Sequence, residues 1–577
     1  MLTRLQISNF KRFVSVDVEL GKSVVFIGPN NSGKTTALQA LALWQIGVRR
    51  WNEKRSGKTL PEKRPGVTIN RRDLISLPVP DAHLLWRDLR VRNVYRNEGG
   101  QQTQNIHIRV LVDGLTAGAT WSCGLEFDFA NEESFYCRPL RSTEGKQPDR
   151  MPVPDEAAAV RVAFLPPMSG LAAVEPTLEL GRINVLIGEG QTAQVLRNLC
   201  YQIYSASDKA TWDNLVSHIT NLFGVTLLPP KHLAERGEIV MSYEEPSGIR
   251  LDLSSSGRGL QQTLLLLAYL YSNPNTVLLL DEPDAHLEIL RQRQIYKLLT
   301  DAADQQGSQI VAASHSEVIL NEAADRDIVV AFVGNPHRID DRGAQVLKAL
   351  KELGFDQYYQ AEQTGWVLYL EGSTDLAILQ GFAATLGHSA VECLKKPFVH
   401  YVGANQPQKA RDHFFGLQEA KPDLVGIAIF DRLDKNLTCG TPLEELMWNR
   451  REIENYLCLP DVLIAYGRHD RLVNDLFSAA EADRRVEAMR ESMEEMMAAL
   501  RVQRKPDPWS PDIKATDEFL DPLFANYFER LGLPNLFRKT DYHELALFLK
   551  KDEIDIEIIE KLDAIVAVAK RAHPRES

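Results

Sequence analysis

Cysteine is scarce in this chain and never clustered. Six cysteines occur in 577 residues, at Cys123, Cys137, Cys200, Cys393, Cys439 and Cys458, with no C-x-x-C pair. That spacing excludes a zinc ribbon and argues against a disulfide frame. It fits reduced, mostly buried thiols of a cytosolic protein. No apolar run reaches the roughly 20 residues that a membrane helix needs. The opening MLTRLQISNFKRF has no secretion-signal stretch, so a cytoplasmic protein without membrane attachment is expected. Positive charge is in deficit too, 66 Lys and Arg against 78 Asp and Glu, for a net charge of −12. An evenly basic, nucleic-acid-coated protein is excluded by that balance, but a local basic face is not. There is no internal repeat and no sustained heptad seam.

Local charge differs from the average. Residues 49–98 hold thirteen Lys and Arg against six Asp and Glu, including Arg49, Arg50, Lys54, Arg55, Lys63, Arg64, Arg71 and Arg72. This stretch reads either as a solvated insertion or as a DNA-facing surface. Strand-like runs (KSVVFIG, NTVLLLD, QIVAASH, GWVLYLEG, VGIAIFD) alternate with helical segments. The expected fold class is therefore α/β with largely parallel sheets. The pattern loosens after residue 332, and GNPHRIDDRG suggests a connection. The expected division is a first domain over 1–345, with a basic insertion at about 46–160 and a helical segment at about 191–222. A linker over 346–363 and a second domain over 364–577 follow, the latter with a helical insertion at about 470–535. Within that insertion Ala482, Val486, Met489, Met493, Met496 and Leu500 recur at spacings of four and three. They form a short stripe that reads as an internal core helix or as a dimer contact.

Residues 28–35, GPNNSGKT, fit G-x-x-x-x-G-K-[ST] between a strand and a helix. In such a loop Asn30, Asn31, Ser32, Gly33 and Thr36 supply backbone N–H groups around phosphate oxygens. Lys34 neutralises the β- and γ-phosphates, and the Thr35 hydroxyl ligates Mg²⁺. VLLLDEP places Asp281 at the end of an apolar strand, where its carboxylate can hold Mg²⁺ through water. Glu282 is then set to deprotonate the attacking water, and His315, ending QIVAASH, to contact the γ-phosphate. Together these residues predict an ATP-binding and ATP-hydrolysing site. Ser254, Ser255, Ser256, Gly257 and Gly259 make a small-residue turn before an apolar helix, which by itself is an ordinary helix cap.

The order of these motifs resembles ABC-type ATPases, and the N-terminal I-S-N-F-K-R-F resembles the soluble SMC and DNA-repair branch. The resemblance implies that Arg12 approaches the nucleotide. It also implies that Ser256 and Gly257 belong to a signature motif that closes over a second subunit's ATP, so that the heads form a homodimer or higher oligomer.

The second half carries a different set. Glu371 and Asp431 end two apolar strands. Asp375, Asp434, Glu452 and Glu454 lie near them in sequence. Carboxylates at the C-terminal edge of a parallel sheet converge on one crevice. There they would hold Mg²⁺ or Mn²⁺ for phosphodiester hydrolysis. Glu-Gly-x-x-Asp, a strand ending in Asp, then Glu-x-Glu resembles a TOPRIM domain. An ABC ATPase followed by TOPRIM resembles the OLD (overcoming lysogenisation defect) family of ATP-dependent nucleases, which includes the Gabija nuclease subunit. The resemblance implies a DNA endonuclease gated by its ATPase, acting in anti-phage defence, with a possible partner protein. It further implies metal ligation by the six carboxylates and a charge-stabilising role for Lys539. One departure stands out: Asp431-Arg432-Leu433-Asp434 replaces the family's Asp-x-Asp, which re-aims the second carboxylate. The competing expectation is an ATPase sensor whose second domain does not cleave.

Overall fold

The computed structural model describes residues 1–55, 66–77, 79–97, 100–141, 150–324, 326–339, 353–403, 405–434, 437, 440, 442–468 and 476–575. The chain divides into two compact units, Met1–Leu347 and Lys348–Ser577.

The first unit is built on two sheets. A six-stranded parallel-centred sheet runs in the order Val162–Leu165, Val277–Asp281, Gln309–Ser314, Ser23–Ile27, Ile328–Ala331 and His337–Arg338. Its first five strands are parallel and the last is antiparallel. Val24, Val25, Phe26 and Ile27 are fully buried, as a strand covered on both faces requires. A second, antiparallel sheet joins Phe13–Glu19, Leu2–Phe10, Ile108–Thr116, Ala119–Asn131, Ser134–Pro139 and Val67–Asn70. Leu2, Leu5, Ile7 and Phe10 turn one face of it into the core that also holds Leu38, Leu41 and Trp44 of the helix Lys34–Arg55.

That arrangement changes the meaning of the expected insertion. Residues 46–55 continue the helix after the phosphate loop, and later parts of 56–160 complete the sheet that the N-terminal strands begin. Much of its basic charge is locally paired. Arg50 binds Asp73 at 2.5 Å and Arg71 binds Glu133 at 3.0 Å. Lys63 and Arg64 lie outside the described residues.

Helices Leu196–Ser205 and Ala210–Phe223 occupy the expected helical segment, and a further helix, Leu180–Gly188, precedes it. They pack with Arg258–Ser272 around a separate core that includes Leu199, Leu215, Leu264 and Leu267. Glycine closes one of them: Gly224 takes φ 71° as the left-handed cap after Phe223.

The second unit centres on a four-stranded parallel sheet in the order Val399–Tyr401, Trp366–Leu370, Val425–Phe430, Leu443–Met447. The chain starts in the second position, moves to one edge, then crosses to the other side. The topological switch therefore falls between the strands ending at Leu370 and Phe430, the place where such sheets open a crevice. Residues 355–363, expected within the linker, form most of the helix Phe355–Thr364 of this unit. The helix Leu476–Val502 answers the question of the Met stripe. Val486, Met489, Met493 and Leu500 are buried in the unit's own core with Phe519, Phe524 and Leu531. Among the described residues, no helix is long and apolar enough to cross a membrane.

Candidate functional site

The phosphate loop leaves the P-loop strand after Ile27 and enters the helix that begins at Lys34. Gly33 sits at φ +105°, and a methyl group there would lie 2.7 Å from the Phe13 ring and 2.9 Å from Arg12 Cδ. Only glycine fits that position, and the same contact puts the Arg12 side chain against the loop. Lys34 is buried and donates to Gly28 O at 2.7 Å and Pro29 O at 2.8 Å. Ser32 Oγ is buried without a hydrogen-bond partner. A cavity of about 290 Å³ is lined by Asn30, Asn31, Ser32, Gly33, Lys34, Thr35, Thr36 and Glu282. An orphaned hydroxyl, a buried ammonium and a helix N-terminus around one cavity fit a bound polyphosphate.

Strand order brings the rest of the constellation to the same edge. Asp281 is level with Ala313, and Ser314 is level with Ile27. The Thr35 hydroxyl donates to the Asp281 carboxylate, with oxygens at 2.9 and 3.0 Å. Burial pushes the Asp281 carboxyl up to about 6. The Thr35 hydrogen bond and Lys34 oppose that rise, and the neighbouring Glu282 adds to it. A divalent cation between Thr35 and Asp281 would favour the charged form, so this oxygen pair fits Mg²⁺. Glu282 holds a left-handed backbone, φ 49°, fixed by its N–H donating to Ala313 O at 2.8 Å. Such strain in a non-glycine residue is kept where a side chain must be aimed. His315 Nδ1 lies 3.9 Å from Glu282 Oε1. Asp284 was not anticipated from sequence. It is buried, bonded to Ser314, and keeps Oδ1 without a partner.

The signature turn is a 3₁₀ segment, Leu253–Ser255, leading through Ser256 to Gly257, the N-cap of Arg258–Ser272. Ser256 Oγ donates to Leu253 O at 2.7 Å, and Gln261 Nε2 reaches Ser256 O at 3.0 Å. Space around Gly257 is open. The turn therefore presents a backbone surface, not a side-chain pocket.

In the second unit, Glu371 and Asp431 follow the two strands that flank the switch point. Asp375 caps its helix by accepting from Glu371 N at 3.0 Å and Gly372 N at 3.2 Å. Glu452 and Glu454 are each 2% exposed on the turn Ile453–Tyr456 and its N-cap. Glu452 Oε1 accepts from Thr516 N at 2.5 Å. Glu454 Oε1 is buried without a hydrogen bond, 3.4 Å from Lys539 Nζ. Burial and the charges of Glu371, Asp375, Glu454 and Glu452 push the Asp431 carboxyl up to about 9. Five of the six expected carboxylates thus act on one another, together with Lys539. Asp434 is exposed and is not among the groups acting on Asp431. Among the described residues no three His, Cys, Asp or Glu side chains stand at ligand spacing around one point. The cluster has the oxygen chemistry of a Mg²⁺ or Mn²⁺ site, in a more open arrangement than a closed ligand shell.

Phosphate loop, strand order and the Asp281–Glu282 strand end define a P-loop ATPase domain. Residues 183–321 match the family described as "AAA domain, putative AbiEii toxin, Type IV TA system", and residues 1–45 match an AAA ATPase domain. The chain is 24% identical over 385 residues to an OLD nuclease from Thermus scotoductus, covering 60% of this chain and 66% of that one. It therefore spans just under two thirds of that relative's length. Among solved structures, an SMC head domain from Thermotoga maritima aligns with TM-score 0.32 at 14% identity, over 59% of this chain and 98% of that one. A Pyrococcus furiosus Smc head, bound to the C-terminal domain of ScpA, aligns with TM-score 0.33 at 12% identity, over 61% and 98%.

Proposed function

We propose that this chain is an ATP-hydrolysing, metal-dependent DNA endonuclease of OLD type, gated by dimerisation of its ATPase heads and serving anti-phage defence. The observation that carries the nuclease reading is the mutual electrostatic influence of Glu371, Asp375, Asp431, Glu452 and Glu454 around the switch point of the second sheet, with Lys539 Nζ 3.4 Å from Glu454 Oε1. So many carboxylates in one crevice repel each other unless a cation joins them. Bound Mg²⁺ or Mn²⁺ would activate water and stabilise the leaving oxygen of a phosphodiester. Glu371 and Asp431 would hold the metal from the two strand ends, with Asp375, Glu452 and Glu454 completing or orienting the set. Lys539 would offer its ammonium to the scissile phosphate.

In the first unit Lys34 and the loop N–H groups bind the phosphates of ATP, while Thr35 and Asp281 hold its Mg²⁺. Glu282 takes a proton from the attacking water, and His315 contacts the γ-phosphate. Ser256 and Gly257 would face the ATP of a second subunit, making hydrolysis a property of the dimer.

A second reading is favoured by one observation: Asp434 is exposed, whereas Glu452 and Glu454 are buried. In that reading the second unit binds nucleic acid or a separate effector protein without cutting. Plasmid DNA incubated with the purified protein and Mg²⁺ or Mn²⁺ separates the two. Nicking or linearisation that Glu371→Ala eliminates, with ATP hydrolysis retained, supports the nuclease. No cleavage with either ion, with or without ATP, leaves the non-cleaving reading.

A further inference from the structure

A buried ion network lies behind the signature turn. Arg197, on the helix Leu196–Ser205, is 1% exposed. Its Nη2 donates to Asp252 Oδ1 at 3.1 Å and its Nη1 to Ala172 O at 2.9 Å. Glu175, also 1% exposed, accepts from the backbone N–H groups of Arg197 at 2.9 Å and Asn198 at 2.7 Å, and stands 3.8 Å from the Arg197 guanidinium. Asp252 is the only half-exposed member, its side chain 45% accessible. The same Asp252 Oδ1 that receives Arg197 also receives Ser254 N at 2.8 Å and Ser254 Oγ at 2.6 Å, and Asp252 O receives Ser255 Oγ at 2.6 Å.

A 3₁₀ turn of three residues ending in an open glycine has little intrinsic rigidity. Here it is tied at its N-cap, Asp252, to a buried guanidinium. Arginine suits this task because its planar fork stays charged when buried and can serve a carboxylate and a carbonyl at once. A buried ion pair is weak evidence for stability and better evidence for fixing one geometry. The geometry fixed here is that of Ser254–Gly257, whose outer face is free.

We infer that Arg197 and Asp252 are positioning residues for the signature turn, holding it in the shape that completes the nucleotide site of a second copy of this chain. This rests on the composite-site reading above. Neither residue reaches the chain's own phosphate loop through any bond described, so loss of the pair spares ATP binding at Lys34 and removes turnover across the dimer.

Subunit mixing tests this. Asp252→Ala is the primary variant because that side chain is half exposed; Arg197→Met is the second. Each is expected to bind ATP within about twofold of wild type and to hydrolyse it at least about tenfold more slowly. Lys34→Ala lacks a working phosphate loop but keeps its signature turn. Mixing it with Asp252→Ala joins an intact loop to an intact turn at one site of each mixed dimer, so an equal mixture should recover about a quarter of wild-type turnover, at least about twofold above either parent. A misfolded Asp252→Ala subunit could not supply that loop. The control pair is Lys34→Ala with Ser256→Arg, a direct lesion of the turn. If Asp252→Ala hydrolyses ATP like wild type, the inference is overturned. It is equally overturned if the control pair recovers on mixing and the Asp252→Ala pair does not. If the control pair itself fails to recover, the composite-site reading falls and the inference with it.

Discussion

Replacing Asp431 by asparagine should make the metal-free protein more stable. Asp431 sits at a strand end among four other carboxylates, and burial together with their charges raises its carboxyl from 3.8 to about 9. A raised carboxyl pKa means that the folded state holds a proton that the unfolded state has released. Below about pH 4 both states are protonated and the group has no effect on stability. Between pH 4 and 9 stability falls as pH rises, because the unfolded chain releases the proton that the folded site keeps. At pH 7 the interval from 3.8 is roughly three units, or about 4 kcal/mol at 1.36 kcal/mol per unit. Side-chain relaxation and entering water reduce that, and about half, ~2 kcal/mol, is a reasonable expectation. For a unit of this size that is a rise of about 4–8 °C in melting temperature. Calorimetry in EDTA from pH 4 to 8 should show Asp431→Asn and parent coinciding at the acid end and separating as pH rises. Added Mg²⁺ should stabilise the parent more than the variant. A variant that melts at or below the parent at pH 7 in EDTA would refute the claim that these carboxylates repel one another in one crevice.

Other consequences follow from particular contacts. Gly33→Ala puts a methyl 2.7 Å from the Phe13 ring at φ +105°, so titration with a fluorescent ATP analogue should show affinity reduced at least about tenfold. Glu282→Gln keeps the shape of the site and removes the base. Hydrolysis should fall about a hundredfold or more while ATP-dependent dimer accumulates in gel filtration, and normal turnover would sink that assignment. Lys539→Met removes the ammonium that pairs with Glu454. DNA cleavage should drop at least about tenfold with ATP turnover unchanged, read in parallel assays.

Sequence exposed those parts of both sites that depend on local chemistry. A phosphate loop must have its glycines and lysine consecutively, so residues 28–35 announce themselves. Apolar strands ending in acid mark Asp281, Glu371 and Asp431, because a strand buried on both faces has no other reason to stop on a charge. Tertiary relations were hidden. Asp284 looks like any loop aspartate until the strand Gln309–Ser314 is seen to bring Ser314 beside it. Arg197 lies 55 positions before its partner Asp252, and nothing local marks that pairing. The basic count over 49–98 suggested a charged surface, but acids distant in sequence, such as Glu133, neutralise part of it. Most of the helix Phe355–Thr364 reads as linker in sequence because the Gly- and Asp-rich run before it breaks the pattern.

The claim that one unit governs the other is tested most directly by plasmid cleavage at fixed Mg²⁺, comparing wild type, Glu282→Gln and Lys34→Ala with and without ATP. The account predicts that ATP changes the cleavage rate of wild type and of the ATP-trapping Glu282→Gln protein by at least about tenfold, and that Lys34→Ala shows no response. Equal cleavage by all three proteins, with ATP or without it, would contradict the account.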